Sequence, residues 1–216
     1  MTCANKTGTL RTATLAIAAS TVAWLLGAPV HAQQPQDVYQ RAVAHFEAGR
    51  VAQSAEEFDR LVKIRPEIAP ELWQRGIALY YAGRYDDCRK QFELHRTVNP
   101  NDVENATWHF LCVARAESPA AATAALLPVG PDARVPMRQV YELFRGRATS
   151  ADVLRAAGAE PAGQFYAHLY LGLFAEARGE RARALEHITA AADSRFAAAG
   201  GYMHTVAKVH LATLQR

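Results

Sequence analysis

From Asp37 onward, apolar side chains recur at three- and four-residue spacing, and no stretch shows the period-two alternation of a strand. An all-α chain is predicted. Val38, Ala42, Val43 and Phe46 mark a first helix over 37–48, ended by Gly49, and a partner over 51–64 that Pro66 stops. Pro70 and Glu71 suit the first turn of a helix over 71–82, one by its fixed φ and the other by its charge at the positive end of the dipole. Gly83 ends that helix, and its partner spans 85–98. Asn101 and Glu104 read as a capping-box pair opening a helix over 102–115, and Ser118-Pro119 caps a shorter Ala-rich helix stopped by Pro128. A loop over 128–136 and short helices at 137–145 and 150–157 follow. Regular spacing returns at Gln164, and a final helix over 201–215 carries Tyr202, Val206 and Val209 on one side.

The helices repeat. Ala42, Ala44, Gly49, Ser54, Phe58 and Pro66 stand 34 residues before Gly76, Ala78, Gly83, Cys88, Phe92 and Pro100. Small residues fall where two helices must touch, Gly where the chain turns, and a large ring where a plug is needed. Gly172, Gly179, Ala184 and Ile188 keep the mutual spacing of Gly76, Gly83, Cys88 and Phe92, with Ile in place of Phe. This length and form resemble the tetratricopeptide (TPR) repeat. The resemblance implies a right-handed solenoid of antiparallel helix pairs, with repeats near 35–68 and 69–102, a degenerate stretch over 103–158, a repeat at 164–196 and a capping helix at 201–215. The last helix is expected to cover the apolar end of the stack.

QRGIALYYAGR (74–84), NPND (99–102) and TWHFL (107–111), with YELFRG (141–146) and FYAHLYLG (165–172) downstream, resemble the NlpI-type periplasmic TPR lipoproteins. Members of that group are non-catalytic adaptors that bring an envelope protease to peptidoglycan hydrolases. FYAHLYLGL and YMHTVAKVHL (202–211) are also similar to an uncharacterised TPR-like group of plant and algal plastids. The chain departs from the first group by lacking a lipidation cysteine and by a shorter start.

Residues 1–32 have the layout of a cleaved secretory signal: Lys6 and Arg11, an apolar run over 13–30, then Val30-His31-Ala32 with cleavage after Ala32. The competing reading is an uncleaved anchor, since the run approaches the ~20 residues that span a bilayer. Thr, Ser, Gly27 and Pro29 within it favour cleavage, and Cys3 precedes the run, where a lipid anchor would need it to follow. A periplasmic or secreted protein without stable membrane insertion is expected. Half the residues are apolar, and without Lys6 and Arg11 the chain carries 22 basic against 21 acidic residues, so nucleic acid is not an expected partner.

In such a stack the first helix of each unit lines a concave groove that takes a peptide or helix. Its outward positions are Tyr39, Phe46 and Glu47, then Trp73, Ile77, Tyr80 and Tyr81, then Asn105 and His109. Aromatic residues suit a recognition surface, but they equally suit an inter-helix core; Tyr80 and Tyr81 stand between the two readings, and Trp73 leans to the groove. Cys88 and Cys112 lie on neighbouring helices, level with each other. An oxidising compartment favours a disulfide, whereas the 8–10 Å spacing of helix axes favours two buried thiols. HExxH, GxSxG, CxxC and phosphate-binding Gly loops are missing, and the histidines from His45 to His210 are scattered, so neither catalysis nor a cofactor or metal is expected. A protein- or peptide-binding scaffold is predicted, with a permanently packed structural subunit as the rival. Homodimerisation through 197–201 or the final helix is left open.

Overall fold

The computed structural model describes residues 1–2 and 34–216; the segment read as an export signal, with its cleavage point, lies outside the described residues. Residues 34–216 form an all-helical unit in which consecutive helices pack as pairs, and no strand occurs among the described residues. The first pair is α1 (Pro35–Glu47) and α2 (Val51–Ile64), the second α3 (Trp73–Tyr81) and α4 (Tyr85–His95). Then come α5 (Val103–Ala116) with the short α6 (Pro119–Ala124), α7 (Met137–Phe144) with α8 (Ser150–Ala157), and the long α9 (Pro161–Ala177) with α10 (Arg181–Ala191). A short turn of helix, α11 (Ala197–Gly200), leads into the last helix, α12 (Tyr202–Leu214).

Of the residues that repeat at 34 positions, Ala42, Ser54 and Phe58 and their counterparts Gly76, Cys88 and Phe92 are buried at helix contacts. Gly76 of α3 lies so close to Phe92 of α4 that a Cβ there would meet the ring at 2.6 Å, and Gly172 of α9 faces Ile188 of α10 at the same 2.6 Å. Phe58, Phe92 and Ile188 are fully buried. In the first unit the Ser54 hydroxyl donates to the Ala42 carbonyl at 2.8 Å, so the small position there is held by a hydrogen bond. Ala44 is exposed while its counterpart Ala78 is buried, because α3 has helix pairs on both sides. Gly49, Gly83 and Gly179 all have φ above +70°, the left-handed conformation that closes a helix.

Three local expectations are corrected. Pro70 and Glu71 do not open the third helix; 66–71 winds as a separate 3₁₀ turn and α3 starts at Trp73. Val103, not Asp102, opens α5 and Asp102 is its cap, accepting from the Glu104 amide at 3.0 Å, so Asn101 caps nothing and Glu104 is free to turn elsewhere. Among the described residues, the reciprocal capping box is Thr149 with Asp152 at α8. Ser118 caps α6 as read, accepting from the Ala121 amide.

Polar ties lock successive helices. Arg75 of α3 donates to Asp59 of α2 at 2.6 Å, and Arg84, at the start of α4, reaches the other oxygen of the same carboxylate at 2.5 Å. Cys88 of α4 and Cys112 of α5 form a disulfide with Cα atoms 5.9 Å apart. That separation lies inside the ~7 Å within which a disulfide can form.

The last helix is not confined to the end of the stack. It packs on α10 and also reaches back to α1. Its Tyr202 stacks on Phe46 with ring centres 5.6 Å apart and meets Trp73 edge-on at 5.2 Å. The faces of α1 and α3 that were expected to stand open are covered by α12.

Candidate functional site

This closure decides where the predicted groove residues lie. Phe46 and Ile77 are fully buried and Tyr80 nearly so; they are core, not an outward surface. Phe46 sits between Tyr81 and Tyr202. The Tyr80 hydroxyl donates to Glu176 of α9 at 3.3 Å, and burial, reinforced by that carboxylate, pushes its pKa well up. Tyr81 lies 3.0 Å from His210 of α12. Tyr39 accepts from Gln74 at 2.8 Å, and Glu47 is exposed at the end of α1. His109 is buried with Nε2 3.4 Å from Glu93, its pKa lowered chiefly by burial. Of the predicted set, the structure brings Trp73 and Asn105 together around one cleft.

That cleft has a volume of about 310 Å³. It is lined by Trp73 of α3, Phe92 and His95 of α4, Asn105 and Trp108 of α5, and Tyr202 and Met203 of α12. Tyr166 of α9 closes one end together with a charged group: Asp102, Glu104 and Arg134. Two aromatic pairs build the walls, Trp73 with Tyr202 and the stacked Phe92 and Trp108, whose centres are 6.4 Å apart. The size sits at the lower end of the ~300–1,000 Å³ range of small-ligand sites.

The charged end was not legible as a site. Arg134, from the 125–136 loop, donates to Glu104 at 2.6 Å, Asp102 at 2.5 Å and Asp132 at 2.6 Å. The second oxygen of Glu104 accepts from the Tyr170 hydroxyl of α9 at 2.5 Å. Three carboxylates thus surround one guanidinium, leaving the group net negative when all are ionised. Burial, followed by the Asp102 charge, pushes Glu104 up to about 7. Tyr166 is pushed up to about 12, first by burial and next by the Glu104 carboxylate, as a negative field requires.

Four residues that wall the cleft keep a buried polar atom with no hydrogen-bond partner among the described residues: His95 Nε2, Asn105 Oδ1, Trp108 Nε1 and the Tyr202 hydroxyl. His95 Nδ1–H donates to the Pro70 carbonyl at 2.7 Å, which leaves Nε2 of a neutral ring as an acceptor. An unpaired buried polar atom costs about 1–3 kcal/mol, so four around one cleft are not an ordinary feature of a helical core.

Among the described residues, no group of three or more His, Cys, Asp or Glu is placed to hold a metal ion. No helix among them is long and apolar enough to cross a membrane. No protein-family model matches this chain, and no curated protein matches it.

Proposed function

We propose that this protein is an exported TPR-like right-handed solenoid that acts without catalysis, as a scaffold holding a protein or peptide partner at the cleft between Trp73, Trp108 and Tyr202. The observation that carries the reading is the cleft itself, an aromatic-walled recess ringed by polar atoms without partners among the described residues. Rigid rings of this kind supply large contact area with few rotatable bonds. The layout of residues 1–32 and the Cys88–Cys112 disulfide support an oxidising, extracytoplasmic compartment. Tethering of envelope proteases or cell-wall hydrolases is the role that the NlpI-type resemblance implies.

A structural subunit is the second reading, and the seat of α12 across α1 and α3 favours it, since a filled groove leaves less surface for a transient partner. Against it, the exposed large apolar side chains among the described residues are few: Met1, Ile64, Leu94, Val98, Val135 and Leu185.

The test is a crosslinked pull-down of the tagged full chain from the envelope fraction, with Trp73→Ala as the control. A discrete partner captured by the wild type and lost in the variant supports the scaffold. The same proteins captured by both would overturn recognition at the cleft and favour the structural subunit.

A further inference from the structure

We infer that the cleft beside Glu104 holds the ammonium group of a lysine side chain presented by the partner. This rests on the scaffold reading above and specifies what it recognises.

Charge sets the sign. Asp102, Glu104 and Asp132 share one cation, Arg134, whose guanidinium is already engaged by all three. An added anion would meet an excess of carboxylate and no free cation of this group, whereas an added cation reduces that excess. Such a cation gains most where the surroundings are dry, and Glu104 and Asp132 keep only 13% and 5% of their side-chain surface in solvent.

The walls set the shape. Trp73, Trp108 and Tyr202 line the cleft with indole and phenol rings, the side chains that attract an ammonium most strongly. The same rings would pack the four methylenes of a lysine stem, whose apolar length and charged tip match a recess that is aromatic along its sides and acidic at one end.

Hydrogen bonding narrows the choice further. His95 Nε2 and Asn105 Oδ1 are acceptors without donors, and an ammonium brings three donors and no acceptor. Trp108 Nε1–H is a donor without an acceptor, and a peptide carbonyl next to the lysine would supply one. A lone alkylamine would satisfy the first two and leave the indole unpaired. A lysine residue within a peptide satisfies all three.

The experiment uses the full chain and two matched probes, Nα-acetyl-lysine methylamide and its uncharged norleucine counterpart, followed by the indole N–H signal of Trp108 in proton–nitrogen spectra. The lysine probe should shift that signal saturably and bind at least tenfold more tightly than norleucine. Glu104→Gln, which keeps the side-chain shape, should weaken the lysine probe at least tenfold and leave norleucine unchanged. Equal affinity for the two probes, no saturable shift from either, or an unaltered lysine affinity in Glu104→Gln would each overturn the inference.

A second arm separates this inference from the scaffold reading. Ten-residue peptides are arrayed in pairs, with lysine or norleucine at the centre. Peptides that bind equally in both forms would leave the scaffold standing and remove the lysine pocket. Binding of the small lysine probe with no peptide bound would keep a cation site and remove the peptide partner, overturning the inference as stated.

Discussion

The Tyr81 hydroxyl of α3 lies 3.0 Å from His210 Nδ1 of α12, across 129 residues of chain. His210 is almost fully buried, and its Nε2 faces Glu176 of α9 at 3.5 Å. The contact joins the start of the helical array to its end. Tyr81→Phe removes one hydroxyl and leaves the imidazole nitrogen unpaired, a loss expected to be about 1–3 kcal/mol. Urea unfolding of the two proteins measures it, and an unchanged midpoint would mean that α12 is not held at this point.

Gly76 and Phe92 form a second coupled pair. Alanine favours a helix over glycine by about 1 kcal/mol, but a Cβ at 76 would press into the Phe92 ring, and overpacking costs roughly 1–3 kcal/mol. Gly76→Ala should therefore destabilise. Combined with Phe92→Leu it should cost much less than the two singles added, because the smaller side chain vacates the space. Phe92→Ala alone should cost about 3–5 kcal/mol through its cavity. Thermal melts of the four variants give the coupling directly, and simple additivity would contradict the packing described.

The Cys88–Cys112 disulfide closes a loop with a sequence separation of 24. Restricting the unfolded chain over that length corresponds to about 3 kcal/mol. Denaturation with and without reductant should differ by roughly that amount, and the Cys88→Ala/Cys112→Ala double variant should be insensitive to reductant.

Glu104 gives the fold a pH dependence of unusual sign. Its folded pKa, about 7, lies above the ordinary carboxylate value, so the folded state holds the proton more tightly than the unfolded chain. The associated stability is present in full below the unfolded pKa and is lost as pH rises through 7. Around it are Asp102 at the α5 cap, Arg134 and Asp132 from the loop, Tyr166 and Tyr170 from α9, and His95, which lines the same cleft. At about 1.36 kcal/mol per unit the effect is on the order of 3 kcal/mol. Glu104→Gln should remove it, so the variant gains on the wild type by that order between pH 4.5 and pH 8. A difference that stays constant with pH would show that the Glu104 carboxyl is unperturbed.

The helical pairing was legible because it is local. Gly76 against Phe92 and Gly172 against Ile188 follow from one spacing inside one helical hairpin, and each glycine turn declares itself in sequence. The closure was not, because it depends on small rotations accumulated over several pairs. One signal was available: buried residues in α12 include Met203, His204, Val206, Ala207, Val209 and His210, a spread wider than one helical face. A helix apolar over so much of its circumference is an enclosed helix, not a lid over one end. The charged end of the cleft was hidden differently. Glu104 reads as half of a capping box until Arg134, 30 residues later, draws it away, and no periodicity links a loop arginine to a helix start. Trp73 and Asn105 fell at the cleft because they lie at the starts of α3 and α5, beside the charged loop.

The central claim is that partners are recognised at this cleft. The most direct measurement places a photocrosslinking amino acid, p-benzoylphenylalanine, at position 73 of the full-length protein in cells, and in parallel at the exposed Leu185 of α10. The account predicts a discrete adduct from position 73, reduced by Glu104→Gln, and none from position 185. Matching adducts from both positions, or none from position 73, would contradict it.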